Sequence, residues 1–522
     1  MLEHTLADLR FAVRGLMRNS GFTAAAVVVL ALGIGANTAI FSTANAYFFR
    51  SLPFAGEESL VTVFETNPDF GWTHAMAAPA NALDWRDQVA AFQDVALYRE
   101  SPGETVLLRD GEPEVLSYTQ VSGNFFQVAG VPAALGRTFR WEETWDGGDD
   151  VVVLSHQAWR ARFGSDPAVV GRTLELGSRT VEVVGVMPPS FTFPASSLDL
   201  WTPYGWDPAA TEAGWFRRAH FVRPLARLVP GATPEEADAQ LQVVAERLSR
   251  DHPATNEVMG AGLMPVRAFL IREVRAPLLI LLGAVGVLLV LAAVNVANLV
   301  LVRSSDRTRE VALRRALGAG RGRVARLIVT ESLVLATLGG GAGLALGWVG
   351  VHLMRRLTPL GIEGATAAAL DHRVVLFAGG AATLSAVIFG LAPILRTAGG
   401  RIHEALQSGG RGGSEGRRTL RGVRALVVAE VALALLLVVA AGLMVRSFLE
   451  LRAVDPGFTP DGVLAAEFSL PEARYPERDQ VLAFQDRLQD ALEARPGIEE
   501  VGSVGHLPLD GPSWTSQFQA EG

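Results

Sequence analysis

The chain has 522 residues, no cysteine and a formal net charge of −8. All 46 basic residues are arginine, which excludes a lysine-dependent P-loop, lysine Schiff-base chemistry, disulfides and thiolate sites. A mean hydropathy of +0.26 with only 19% charged residues points to a membrane protein with sizeable extramembrane parts.

Residues 1–21 form a basic segment carrying Arg10, Arg14 and Arg18. The apolar run 22–49 is long enough to cross a bilayer, which takes ~20 residues. Ala44-Asn45-Ala46 resembles a signal-peptide cleavage site, but the apolar region is too long and too interrupted for one.

Residues 50–272 read as a mixed α+β domain. Val151–Leu154 is a short buried strand, and Ser155 then caps a helix that Gly164 closes. Residues 179–187 alternate and end at Pro188-Pro189, so they form another strand. Pro234–Asp251 is an amphipathic helix with Thr233 as cap and Ala237, Leu241, Val244 and Leu248 on its apolar face. Ser155, His156 and Asp149-Asp150 are neighbours in sequence, which is not the spatial convergence that a triad needs. The nine histidines show no HExxH or other metal-ligand spacing. Trp201, Trp206 and Trp215 cluster, and three readings stay open for them: packed core, a ligand groove, or a membrane interface.

A second span covers 277–302, with Asn295 and Asn298 near its end and expected to pack against other helices. The loop 303–326 holds eight arginines against Asp306 and Glu310, so the positive-inside rule puts it in the cytoplasm. Within it, Val311, Leu313, Ala316 and Leu317 share a helical face, Glu310 precedes Arg314 at i,i+4, and Gly318 stands where a helix ends. That short amphipathic helix lies either on anionic lipid or against a partner. A third span, 327–353, repeats Gly339, Gly343 and Gly347 every four residues, a face for close helix approach. A fourth span, 374–395, leads into a Gly/Arg-rich cytoplasmic linker, 396–424.

A fifth span, 425–445, and an acidic segment, 447–522, then repeat the pattern of the N-terminus. Residues 51–276 carry 30 acidic side chains against 18 arginines, and 447–522 carry 14 against 5. Acidic domains on one side and basic loops on the other fit one orientation, and the short basic stretches do not suggest nucleic-acid binding. The fold class is a membrane α-helical bundle plus an α+β extracytoplasmic domain.

Several stretches carry a resemblance. NVANLVLVR at 295–303, REVALRRALGAGRGRVARLIVTESL at 309–333 and the glycine-rich span after it resemble the membrane domain of MacB/FtsX-type ABC transporter permeases. Residues 84–98, 121–139, 151–174 and 183–194 resemble the MacB-like periplasmic core domain. The stretch 428–458 resembles the opening of the second half in duplicated acidobacterial orphan permeases, here apparently cut short.

The resemblance implies a permease subunit in the bacterial inner membrane, with its large domain outside the cytoplasm. Glu310, Leu313, Arg314, Arg315, Leu317 and Gly318 would form the coupling helix. An ABC ATPase in trans would use ATP and Mg, this chain binding no cofactor itself. A dimer or a second permease half is a further implied partner, besides membrane lipid. The cargo would be a peptide, lipid-linked or hydrophobic substrate. The alternative is a non-transporting, membrane-anchored regulator that binds a cell-envelope partner.

Overall fold

A computed structural model describes residues 2–49, 51–109, 112–145, 150–177, 179–306, 321–357, 370–398, 415–455, 457, 462–466, 468, 470, 475 and 477–504. The chain divides into two compact units, Met1–Arg50 with Ile271–Arg452 and Ser51–Leu270 with Ala453–Gly522.

In chain order, α1 (Leu2–Met17) and α2 (Ser20–Phe48) come first. Then follow β1 (Leu60–Asn67), β2 (Trp72–Ala75), α3 (Pro79–Gln88), β3 (Phe92–Tyr98), β4 (Gly103–Arg109) and β5 (Glu112–Val121). Next are β6 (Leu135–Gly136), β7 (Val151–Leu154), α4 (His156–Phe163), β8 (Thr173–Leu176), β9 (Arg179–Val186) and β10 (Leu200–Pro203). The α+β part closes with β11 (Arg223–Leu228), α5 (Pro234–Asp251) and β12 (Gly260–Pro265). Long helices α6 (Val266–Asp306), α7 (Arg321–Leu357), α8 (His372–Ala398) and α9 (Glu415–Arg452) follow, and then α10 (Arg478–Glu493), which buries no residue.

In the α+β unit, β12, β1, β11 and β3 lie side by side, every pair antiparallel. With α3 after β1 and α5 after β11, this is the β-α-β-β-α-β plan of a ferredoxin-like fold. Ala237, Leu241, Val244 and Leu248 of α5 and Trp85 of α3 pack on Val61, Val63, Val95, Leu97, Ala226 and Leu228 of the sheet. Those α5 positions recur at i+4, i+3 and i+4, the spacing of one helical face. Thr233 Oγ1 accepts from the Glu236 N–H at 3.2 Å, and Glu236 Oε2 accepts from the Thr233 N–H at 3.1 Å. This reciprocal capping box satisfies two helix-end donors at once.

A second subdomain is inserted between β3 and β11. Its strands pair in the order β10-β7-β9-β8-β4-β5, and β10 also pairs with β5, closing a ring. Leu107, Leu116, Val152, Leu154, Leu174, Val183 and Leu200 fill its core. Ser155 Oγ caps α4 by accepting from the Ala158 N–H at 3.1 Å, and Gly164, at φ 62°, ends it. Gly123 is a place where backbones nearly touch: a Cβ there would lie 1.7 Å from the Arg140 carbonyl oxygen.

One buried polar cluster ties the sheet to α3. Glu65 is fully buried and accepts from the Ala78 N–H at 3.2 Å and from Asn81 Nδ2 at 2.7 Å. His220 pairs with the other Glu65 oxygen. Asn81 Oδ1 accepts from Arg217 Nη1 at 2.7 Å and from Asn256 Nδ2 at 2.9 Å. Burial, the largest influence on His220, disfavours its charged form. The Glu65 hydrogen bond and charge outweigh it and hold the imidazole above its ordinary pKa.

That upward shift fixes the sign of a pH effect. The pair's stabilisation is complete below the unfolded histidine value, about 6.5, and is lost as pH rises through the raised folded value. Thermal unfolding of the α+β unit is therefore expected at progressively lower temperature above that pH, with a flatter profile in His220→Gln. An equal slope in the variant would refute the assignment.

Among the described residues, five helices are long and apolar enough to cross a membrane: Ser20–Phe48, Val266–Val300, Ile328–Leu353, His372–Gly390 and Val427–Arg452. The helices overrun the apolar stretches read from sequence. Helix α6 starts at Val266 rather than near 277 and holds Pro277 in its interior. Proline removes the bond to the carbonyl four residues back. That carbonyl belongs to Glu273, an exposed residue outside the apolar stretch. Helix α9 likewise begins at Glu415 and ends at Arg452, because arginine and glutamate extend a helix as readily as leucine does.

Candidate functional site

The membrane unit is built on a seam between α2 and α7. Leu30, Ile34 and Thr38 are fully buried and stand four residues apart on α2. Gly339, Gly343 and Gly347 of α7 meet them in turn. A Cβ built at Gly339 would lie 2.6 Å from the Leu30 Cβ, at Gly343 2.8 Å from the Ile34 Cβ, and at Gly347 2.8 Å from the Thr38 Cβ. Real Cβ atoms do not come that close, so this approach requires glycine at all three positions. Two glycines of α2 return the fit: a Cβ at Gly35 would meet the Leu346 Cβ at 2.9 Å, and one at Gly33 the Ala292 Cβ of α6 at 2.9 Å. Small residues let helix backbones approach where lipid offers no hydrophobic drive between helices.

These contacts also set directions. Residue numbers rise together along α2 and α7, so the two helices run parallel. Gly33 meets Ala292 while Asn37 reaches the Val285 carbonyl, so α6 runs against α2. Phe41 stacks on Phe377 and Asn45 bonds Asp371, so α8 also runs against α2. Gly340 meets Ala382 and Gly390 meets Ser332, so α8 runs against α7 as well.

Several polar side chains of the unit are paired. Asn37 is 3% exposed and donates to the Gly33 carbonyl at 2.9 Å as well as to Val285. Asn45 Nδ2 donates to Asp371 Oδ2 at 2.8 Å, while Asp371 Oδ1 accepts from the Val374 N–H at 3.0 Å at the start of α8. Burial raises the Asp371 pKa, but these hydrogen bonds outweigh it and leave the carboxyl below its ordinary value. Arg326 of α7 pairs with Asp8 of α1. Asn298 Nδ2 lies 3.4 Å from Glu430 Oε2 of α9.

Among the residues singled out in sequence, Gly339, Gly343, Gly347 and Asn298 converge on neighbouring helices. Asn295 does not, because it stands on an exposed face of α6. Glu310, Leu313, Arg314, Arg315, Leu317 and Gly318 lie outside the described residues. Glu430 was not singled out, although a lone carboxylate in an apolar run is itself a signal. Nor were Gly33 and Gly35, visible as the LGIGAN stretch of α2. Among the described residues, no three His, Asp or Glu side chains gather as a metal site would require.

Comparison with known proteins gives two family matches. The family described as MacB-like periplasmic core domain matches residues 23–244, and that described as FtsX-like permease C-terminal matches 282–401. MacB of Chromobacterium violaceum, a macrolide export ATP-binding/permease protein, is 28% identical over 274 residues, which is 52% of this chain and 40% of that protein. MacB 2 of Aeromonas hydrophila, of the same description, is 26% identical over 378 residues, 71% of this chain and 54% of that protein. The crystal structure of the periplasmic region of MacB from Actinobacillus actinomycetemcomitans aligns with 43% of this chain and 94% of its own at 17% identity, with a TM-score of 0.31. The chain thus spans 40% to 54% of the length of these two full-length relatives.

A periplasmic-type α+β domain followed by a permease bundle defines a membrane protein with an extracytoplasmic domain. Over both parts the chain is similar to the MacB/FtsX-type ABC transporter permeases.

Proposed function

We propose that this chain is the permease subunit of an exporter driven in trans by a separate ATPase. The carrying observation is the alternation of helix directions set by the seam. Because α2 and α7 run one way and α6 and α8 the other, the starts of α2 and α7 and the ends of α6 and α8 fall on one side, and the arginine-rich stretches 1–21, 303–326 and 396–424 adjoin those ends in sequence. The positive-inside rule makes that side cytoplasmic, and the acidic α+β domain then faces out. ATP and Mg are handled by the partner, since the 522 residues contain no lysine for a P-loop. The loop helix containing Glu310–Gly318 receives the ATPase stroke, and the spans pass it to the outer domain. The cargo is a peptide, lipid-linked or hydrophobic molecule. The names of the relatives, which refer to macrolide export, support an apolar one.

The docking face is Leu313 with Leu317, and Glu310, Arg314 and Arg315 keep the partner in register. Burying two leucines yields about 3–6 kcal/mol in gross transfer terms, much of which association costs remove. Leu313→Asp with Leu317→Asp is expected to abolish ATPase co-purification while membrane insertion stays intact. Full ATPase binding by the double variant would reject the coupling role. A wild-type chain that captures no ATPase would favour the anchored-regulator reading.

A further inference from the structure

The inserted subdomain contains a cavity of about 450 Å³ that the transport reading does not use. Its size lies in the range of small-molecule sites, about 300–1,000 Å³. Phe191, Leu198 and Trp201 contribute a buried apolar floor. The Trp201 indole N–H is already committed to the Phe193 carbonyl at 3.1 Å, so the floor offers no free donor from that ring.

The polar side of the cavity is one-signed. His156 and Arg160 line it, and no aspartate or glutamate does. They stand at i and i+4 on α4, one turn apart on the same face. His156 Nδ1 is buried and has no hydrogen-bond partner among the described residues. Arg160 is exposed and enters no ion pair among the described residues. The other arginine of this turn of helix, Arg162, is by contrast committed to Glu114 and Asp199. An apolar floor under an uncompensated cation is complementary to one kind of molecule.

We propose that this cavity binds a small apolar monoanion, its hydrocarbon body on Phe191, Leu198 and Trp201 and its acidic head on Arg160 and His156. A carboxylate or sulfonate head accepts from the guanidinium N–H groups, beside the His156 ring that also lines the cavity. The site stands on the subdomain alone and does not depend on an ATPase partner.

The test uses the full chain in lipid nanodiscs, with empty nanodiscs as the blank, and isothermal titration. Probes are naphthalene-2-sulfonate, its neutral isostere naphthalene-2-sulfonamide, and dodecanoate. The sulfonate is expected to bind at one saturable site about tenfold or more tighter than the sulfonamide, the size of a charge-assisted over a neutral hydrogen bond. Arg160→Gln is expected to lower the sulfonate to the level of the sulfonamide and leave the sulfonamide unchanged. Ala161→Trp, at an exposed lining position, is expected to remove both without disturbing the fold. Either anion saturating the site supports the assignment; dodecanoate as the tighter ligand marks a lipid source, and the sulfonate a compact aromatic one. Equal affinity for the charged and neutral isosteres, indifference to both substitutions, or no saturable binding up to millimolar concentration would each overturn it.

Discussion

Gly343→Leu is expected to break the packing of the membrane unit. A Cβ at this position would sit 2.8 Å from the Ile34 Cβ, 2.9 Å from its Cγ2 and 3.2 Å from the Gly35 backbone nitrogen. The last of these cannot rotate away, so the helices must separate. Overpacking typically costs about 1–3 kcal/mol, and parting the seam also releases the contacts at Gly339 and Gly347. The loss is therefore expected at the upper end of that range or above. Gly341→Leu is the control, since a Cβ there meets nothing within 4 Å. It should change stability by less than about 0.5 kcal/mol, as surface substitutions usually do. Denaturant titration of both variants in detergent decides the matter; equal midpoints would mean that the seam does not hold the unit together.

The second large effect is expected at Glu65→Ala in the α+β unit. Removing this carboxylate leaves the Ala78 N–H, Asn81 Nδ2 and His220 without their acceptor, two of them in a fully dehydrated place. Breaking a buried pair by deleting one partner costs about 3–5 kcal/mol, a large share of the ~5–15 kcal/mol that holds a domain folded. Glu65→Gln keeps an acceptor of the same shape and should lose distinctly less. A Glu65→Ala protein within about 1 kcal/mol of wild type would show that the cluster is replaced by water rather than broken.

Features that sit on one element could be read from the sequence. The apolar spans, the glycine face of α7, the Ser155 and Thr233 caps and the apolar stripe of α5 are all periodic or local signals. Pairings were not legible, because a period reports a face and never its partner. Nothing near Gly339 names Leu30, and nothing near Glu65 names His220, 155 positions away. The ring closed by β10 on β5 is hidden for the same reason. Asn295 and Asn298 are equivalent as an i,i+3 pair in sequence, and the structure separates them by the exposure of Asn295 and the position of Glu430 beside Asn298. Hydropathy also located the apolar middle of α6 and α9 but not their ends, since charged residues sustain a helix without adding to its apolar signal.

The wide sequence gap across the glycine seam has a consequence for synthesis. Helix α2 ends at Phe48, and its partner α7 begins only at Arg321. At ~5–20 residues per second, the first span waits on the order of 10–60 s in the bilayer before the surface it fits has been made. A bare polar side chain in hydrocarbon for that time would be expensive. Helix α2 meets this from within: Asn37 donates to its own Gly33 carbonyl at 2.9 Å and Thr38 to its own Ile34 carbonyl at 2.7 Å. The nascent span thus carries its hydrogen-bond acceptors with it and can idle in lipid as an independent helix until the translating ribosome delivers its mate.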